Sequence, residues 1–124
     1  MLDLCDQVAE KRRRLSARYF DAIARIDAYA AAGEYEFFTN GLLQDGIIRQ
    51  LSIVGEASGR LPNDLRATQP QIPWPDIVAM RNIIVHDYSE TDLPTIWSTV
   101  QTDLPVLKTT VKSMLATLPR RDVA

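Results

Sequence analysis

The clearest pattern in this chain is an apolar stripe toward its C-terminal end. The members of the stripe lie alternately four and three positions apart, and they are Leu93, Trp97, Val100, Leu104, Leu107, Val111, Met114 and Leu118. This period predicts an α-helix that buries one face in a bundle. Pro105 lies inside the stripe and cannot donate a backbone hydrogen bond to the carbonyl of Gln101, so we expect a kink there.

Two further helices are predicted in the first half of the chain. The first covers residues 3–32 and ends before Gly33, with core positions at Leu4, Val8, Leu15, Tyr19, Ala22, Ile26 and Tyr29. The second covers residues 35–58 and places Ile47, Ile48, Leu51 and Val54 on one face. Gly55 lies on this face, where its missing side chain would permit a close helix contact. Glu56 is either a solvated residue or a polar group near a site.

Three prolines between residues 59 and 74 predict a loop before the next helix. A single helical turn is possible at residues 63–67, with Asn63 as its cap. The next helix should begin at Pro75, a favoured first-turn residue, and end near Asp87. Trp74 is predicted to be a packing anchor under this helix, and Ile77, Met80 and Ile84 form its core stripe. These elements predict an all-α fold, an up-and-down bundle of four to five helices in one domain spanning residues 1–124.

The candidate chemistry is concentrated at the end of this fourth segment. Arg81, Asn82, His86 and Tyr88 lie within eight positions, and His86 is the only histidine of the chain. Arginine presents a planar fork of donors to phosphate oxygens, and histidine transfers protons near neutral pH. This set of side chains therefore suits phosphate chemistry. The alternative interpretation is an incidental arginine beside a histidine that is satisfied within the core.

The spacing of Arg81 and His86 limits how they can act together. In a regular helix five residues turn the side chains about 140° apart, so the two would not meet on one atom. Either the helix loosens at His86, or two copies of the chain meet and the arginine of one complements the histidine of the other. We therefore expect a homodimer.

Several segments resemble the HepT-like branch of the HEPN ribonuclease superfamily. They are the motif Arg81-x4-His86-x-Tyr88 with Asn82 after the arginine, the segment Ile53-Val54-Gly55-Glu56-Ala57, and the entry Ile72-Pro73-Trp74. The resemblance runs from about residue 37 to residue 118. It implies a HEPN-like bundle, a homodimer with its cleft at the interface, and the toxin role in a type VII toxin–antitoxin system.

The resemblance also implies roles for the motif residues. His86 would act as general base or acid, Arg81 would stabilise the pentacoordinate phosphorus, and Asn82 would orient the phosphate or the imidazole. Tyr88 would be the residue to which a minimal nucleotidyltransferase, the antitoxin, attaches AMP. The reaction would be a metal-independent cleavage in which the ribose 2′-hydroxyl attacks its phosphate. The substrate would then be RNA and not DNA, and a larger complex with the antitoxin is possible.

The composition limits the compartment and the cofactors of the protein, and its net charge does not suit a nucleic-acid binder. One cysteine, Cys5, excludes an internal disulfide and suits a reducing compartment, and no apolar run is long enough for a membrane span, so we expect a cytoplasmic protein. One histidine and one cysteine do not make a zinc site, and we expect no cofactor. The net charge of −2 does not suit a general polyanion binder. Arg12, Arg13 and Arg14 form a basic run that is typical of a solvated face.

Any contact with RNA must therefore come from a local cluster, such as Arg81 with Arg49, Arg60 or Arg66. Two rival hypotheses remain open at this point. The first is a non-catalytic helical partner of a nucleotidyltransferase, a nucleotide- or protein-binding module that the acidic composition favours. The second is a plain dimerisation module in which the polar motif is incidental.

Overall fold

The computed structural model describes residues 4–82 and 93–116, and their secondary structure is helical. The helices are α1 (Leu4–Ala30), α2 (Glu34–Thr39), α3 (Gly41–Gly59), α4 (Asn63–Ala67), α5 (Trp74–Ala79), α6 (Leu93–Ser98) and α7 (Leu104–Ala116). A 3₁₀ turn, Met80–Asn82, extends α5, and a π turn, Thr99–Asp103, joins α6 to α7. The predicted all-α fold class is confirmed, whereas the single domain over residues 1–124 stays a prediction.

Helix α1 ends where the sequence predicts, at a glycine with a conformation that other residues rarely adopt. Gly33 has φ +100°, and its N–H donates to the carbonyl of Ala30 at 3.0 Å. Tyr19, Ala22 and Ile26 are almost fully buried, as the periodicity predicts. Leu4 is 75% exposed, so its assignment to the core is wrong: the first turn of α1 extends past the packed part of the molecule.

The predicted helix over residues 35–58 is two helices, and the break is at Asn40. This residue is extended (φ −120°, ψ 105°), and its side-chain Oδ1 accepts a hydrogen bond from the N–H of Leu42 at 3.0 Å. Asparagine is a strong N-cap, and Gly41 after it disfavours a continuous helix, so α3 starts afresh. The four predicted core residues of α3 are all buried: Ile47, Ile48, Leu51 and Val54.

Helices α1 and α3 run antiparallel and form the centre of the described bundle. Tyr19 contacts Ser58 near one end of the pair, and Tyr29 lies against Gly46 near the other. Helix α7 packs on α1, where Lys108 Nζ is 3.6 Å from Asp27. Among the described residues the core collects 21 buried apolar side chains, most of them from α1, α3, α5, α6 and α7, with others from α2, the two turns and the loops beside α4. The C-terminal end of α5 stays accessible at one side of α3.

The segment before α5 forms as the sequence predicts, apart from the cap of its single turn. The single turn at residues 63–67 is helix α4. The prediction of Asn63 as its cap is wrong: Pro62 precedes the helix as its N-cap, and Asn63 is the first helical residue, whose side chain accepts a hydrogen bond from Arg66. Trp74 is 7% exposed, and its indole N–H donates to the carbonyls of Arg66 and Gln69. Trp74 therefore packs beneath α5, as expected.

The last predicted helix is irregular just before Pro105, which has no N–H to donate to the carbonyl of Gln101. The preceding residues widen into the π turn, and the N–H of Leu104 donates to the carbonyl of Thr99. Val100, Leu104, Leu107, Val111 and Met114 are buried, so the predicted stripe continues through the irregularity. Leu118 lies outside the described residues. No helix in the described part of the chain is long and apolar enough to cross a membrane.

Candidate functional site

Arg81 and Asn82 lie on the 3₁₀ turn that follows α5. Pro75 is in the first turn of α5, the helix ends at Ala79, and the backbone then tightens over Met80–Asn82. Met80 is 7% exposed and anchors the turn in the core, while Arg81 and Asn82 are exposed. The turn is therefore held in place by Met80 and presents a cation and an amide to solvent.

A backbone contact with α3 also fixes the position of this 3₁₀ turn. A Cβ atom on Gly55 would lie 2.7 Å from the nitrogen of Arg81, 2.9 Å from the carbonyl oxygen of Ile77 and 3.2 Å from that of Val78. Only glycine permits this approach, because the atoms it meets belong to the main chain and cannot rotate away. Ser52 Oγ adds a long hydrogen bond, 3.5 Å, to the carbonyl of Arg81. The close helix contact predicted at Gly55 is confirmed.

A cleft of about 460 Å³ opens beside the turn. It is lined by Ser52, Glu56, Gly59, Arg60, Val78, Arg81 and Asn82. Glu56 is the carboxylate of this cleft, and it lies 3.0 Å from Arg60 Nη2 and 3.5 Å from Arg18 Nη2. Within residues 4–82 and 93–116, Arg81 has no carboxylate oxygen within 4.0 Å. An exposed guanidinium in the wall of a cleft is a favourable donor to an anion that enters it.

A second cleft, of about 600 Å³, adjoins the first. Lys11, Arg14, Leu15, Arg18, Glu56, Ala57 and Arg60 line it. Arg18 is not among the residues that the sequence predicts for the site, and the run that contains Arg14 is predicted to be a solvated face. Arg14 is indeed 73% exposed, yet it lines this cleft. The available signal was the helical spacing of Lys11, Arg14 and Arg18, which places the three on one face of α1.

The structure brings together only part of the predicted site. Arg81 and Asn82 line the same cleft, and Arg60 joins them, whereas Arg49 and Arg66 are not among its lining residues. Glu56 lies in the wall of the cleft, and its role there stays a prediction. His86 and Tyr88 lie outside the described residues, so their positions stay predictions. The 140° offset assumed a regular helix, and the 3₁₀ turn departs from that geometry already at Met80.

No group of three or more histidine, cysteine, aspartate or glutamate side chains in residues 4–82 and 93–116 could hold a metal ion. The donors that line the two clefts are mostly guanidinium and amide groups, which favour anions. The chemistry of the described site is therefore that of an anion site.

Comparison with known proteins identifies the family. The model of the family described as "Ribonuclease HepT-like" matches residues 19–114. "Probable ribonuclease HepT" from Thermococcus cleftensis is 40% identical over 82 residues, which cover 65% of this chain and 74% of the relative. A Methanocaldococcus jannaschii protein named as a candidate RNase is 39% identical over 66 residues, 53% of this chain and 61% of that relative. No solved structure shows a significant match. The chain belongs to the ribonuclease HepT-like family.

Proposed function

We propose that this protein is a metal-independent endoribonuclease and the toxin of a type VII toxin–antitoxin pair. The observation that carries the proposal is the state of Arg81. Its guanidinium is exposed in a cleft, has no carboxylate partner among the described residues, and stands on a turn that Gly55 fixes against α3. Family membership supports RNA as the substrate.

The reaction proposed for this site uses the nucleophile of the substrate. The ribose 2′-oxygen attacks the adjacent phosphorus and loses its proton to a base, while the bond from phosphorus to the 5′-oxygen breaks and that oxygen gains a proton. The products are a 2′,3′-cyclic phosphate and a 5′-hydroxyl. Arg81 stabilises the charge on the pentacoordinate phosphorus, His86 transfers protons, and Asn82 orients the phosphate or the imidazole.

Two proton transfers favour a homodimer. Where both transfers occur in one step, one group accepts the proton of the 2′-hydroxyl while another supplies the proton of the leaving oxygen, yet each chain has one histidine. Two chains that meet at the cleft would provide both histidines, one as base and one as acid. Light scattering at micromolar concentration should then give about twice the 14.0 kDa of one chain.

The test of the chemistry is a pair of substitutions, Arg81→Ala and His86→Ala. Each should lower RNA cleavage by about 10²–10⁴-fold, because each removes a charge-stabilising or proton-transferring group. Helix content and dimerisation should stay as in the wild type, and cleavage should continue in the presence of a metal chelator. Wild-type cleavage rates in both variants, or a requirement for added magnesium, would contradict the mechanism.

Neutralisation by AMPylation of Tyr88 is the regulatory part of the proposal. In this proposal an adenylate on Tyr88 brings a phosphate anion to the cleft. There it competes with the RNA backbone for the guanidinium of Arg81. Incubation with ATP and the minimal nucleotidyltransferase proposed as the antitoxin should add mass in steps of one AMP. These steps should vanish in Tyr88→Phe, and this variant should remain toxic in the presence of the antitoxin. Adducts on Tyr19, Tyr29 or Tyr35 instead would exclude Tyr88 as the acceptor.

A non-catalytic partner of the nucleotidyltransferase is the second candidate. It is favoured by the net charge of −2 and by the carboxylate of Glu56 in the wall of the cleft, both of which oppose RNA. The same cleavage assay separates the candidates. An adaptor would form its complex with the nucleotidyltransferase, but neither the wild type nor the two variants would cleave RNA.

A further inference from the structure

The two clefts share a wall. Glu56 on α3 and Arg60 directly after α3 line both of them. On the far side of this wall, α1 contributes Lys11, Arg14 and Arg18. The basic groove, defined here as the second cleft with these three residues and Arg60, therefore lies directly beside the cleft of Arg81.

Charge is strongly concentrated in this region. Among the described residues the two clefts are lined by five cations, Lys11, Arg14, Arg18, Arg60 and Arg81, and by one carboxylate, Glu56. Glu10 pairs with Arg14 at 3.8 Å but is not one of the lining residues. The formal charge of the five cations and Glu56 is +4 in a chain whose formal net charge is −2, so the remainder of the chain carries −6. A polyanion is repelled by the remainder and attracted here, which directs it to one surface.

The spacing on α1 suits a strand with repeated negative charges. Lys11, Arg14 and Arg18 share one face and span seven residues, about 10.5 Å along the helix axis. One strand of a stacked nucleic acid presents about three phosphates over that length. The groove can therefore contact successive phosphates of the same strand.

Glu56 sets the strength of this surface. Its carboxylate is 36% exposed and pairs with Arg18 and Arg60, which offsets part of their charge and orients both guanidinium groups. A phosphate that approaches either arginine must compete with Glu56, so removal of this charge should favour the phosphate.

We propose that the basic groove binds the phosphates of the RNA strand that flank the cleavage site and guides that strand to Arg81. The inference rests on the proposed function, since it takes RNA as the substrate. It adds Lys11, Arg14, Arg18 and Arg60 as residues that bind the substrate backbone without taking part in the chemistry.

The test is the binding of a fluorescent single-stranded 2′-O-methyl RNA to the full chain, measured by anisotropy at several salt concentrations. This probe lacks the free 2′-hydroxyl that the proposed cleavage requires. Lys11→Gln and Arg18→Gln should each lower the slope of log K against log salt by about 0.7, which is about fivefold in affinity at 0.1 M salt. Binding independent of both residues would overturn the proposal.

Matched controls are available on the same helix and on α7. Arg25 is an exposed arginine of α1 that pairs with Asp21 at 3.0 Å, as Arg18 pairs with Glu56, but it lines neither cleft. Lys112 is an exposed lysine of α7. Arg25→Gln and Lys112→Gln remove the same charge as the test variants and should leave the slope unchanged. Equal losses in the controls would mean that only net charge matters, and the groove would be excluded.

Glu56→Gln gives a result of opposite sign. Removal of the carboxylate should tighten binding by up to about fivefold, because one opposing charge is lost from the groove. If Glu56 mattered only as a brace for Arg18 and Arg60, the same variant would bind more weakly. Weaker binding would therefore contradict the account of the groove.

Cleavage of unmodified RNA separates this inference from the proposed function. If the wild-type chain does not cleave RNA but binding follows the groove variants, the proposed function fails and the groove stands. If cleavage depends on Arg81 and His86 but binding ignores the groove variants, the groove fails alone. A polyglutamate peptide tests whether the groove binds an acidic protein and not RNA. If Lys11→Gln and Arg18→Gln weaken the binding of this peptide but not that of RNA, the groove recognises an acidic protein and the proposal is wrong.

Discussion

Helix α3 contacts both α1 and α5, and it makes the two contacts in different ways. Against α5 the main chains themselves meet, with Gly55 against Arg81, Ile77 and Val78. Against α1 the contact is made by side chains: Ser58 donates to the hydroxyl of Tyr19, and Glu56 pairs with Arg18. Side chains can adjust to a substitution by rotating, whereas a helix backbone can adjust only by moving as a unit. The α3–α5 contact therefore fixes the position of Arg81, whereas rotation of a side chain can absorb a small change at the α3–α1 contact.

Gly55→Ala and Gly46→Ala test this difference on a single helix and should have the largest effect. The new Cβ at residue 55 meets backbone atoms at 2.7 and 2.9 Å, whereas at residue 46 it meets the Tyr29 ring at 3.2 Å. We expect Gly55→Ala to lower the free energy of unfolding by about 3 kcal/mol. Gly46→Ala should stay within about 1 kcal/mol of wild type, because the helix propensity of alanine offsets a small shift of the ring.

Chemical denaturation measures the stability part of this prediction, and RNA cleavage measures its functional part. Gly55→Ala displaces the turn that carries Arg81, so its cleavage rate should fall by about 10²-fold even where the variant is folded. Gly46→Ala should cleave like the wild type. Equal losses of stability in the two variants, with normal cleavage by Gly55→Ala, would show that the backbone contact does not position the site.

Tyr19→Phe tests the side-chain contact and should have a smaller effect that depends on pH. Burial raises the pKa of the Tyr19 phenol well above its ordinary value of 10.0, and the hydrogen bond from Ser58 opposes this shift only in part. The folded state therefore favours the neutral phenol. The stabilisation is fully present below pH 10 and is lost as the pH rises above 10, where the unfolded chain releases the proton first.

Unfolding free energies at pH 8 and pH 11 provide the measurement. Between these values the wild type should lose about 1.4 kcal/mol more than Tyr19→Phe, which has no phenol at this position to titrate. At pH 8 the variant should be about 1 kcal/mol less stable, because Ser58 loses its acceptor. Parallel pH curves for the two proteins would mean that the buried phenol does not resist ionisation.

The sequence by itself determined the elements whose signals are local. Gly33 ends α1 because its positive φ suits glycine, Trp74 and Pro75 mark the start of α5, and the three- and four-residue period of the last helix identifies its buried face. The sequence also identified Gly55 and the Arg81–Asn82 pair, because a motif can be recognised from residue types and their order alone. The break at Asn40 was missed because its capping signal competes with a strong apolar period on both sides.

Only the tertiary structure decided which residues from distant parts of the chain meet. Arg18 and Glu56 are 38 positions apart, and no periodicity within one helix can show that they form an ion pair or that Arg60 joins them. The same holds for the exposure of Leu4, which depends on how far α1 extends beyond its neighbours. Period and capping act within a few residues, whereas a cleft between helices exists only after they have packed. The basic groove therefore had no signature in the sequence beyond the spacing of its cations on α1.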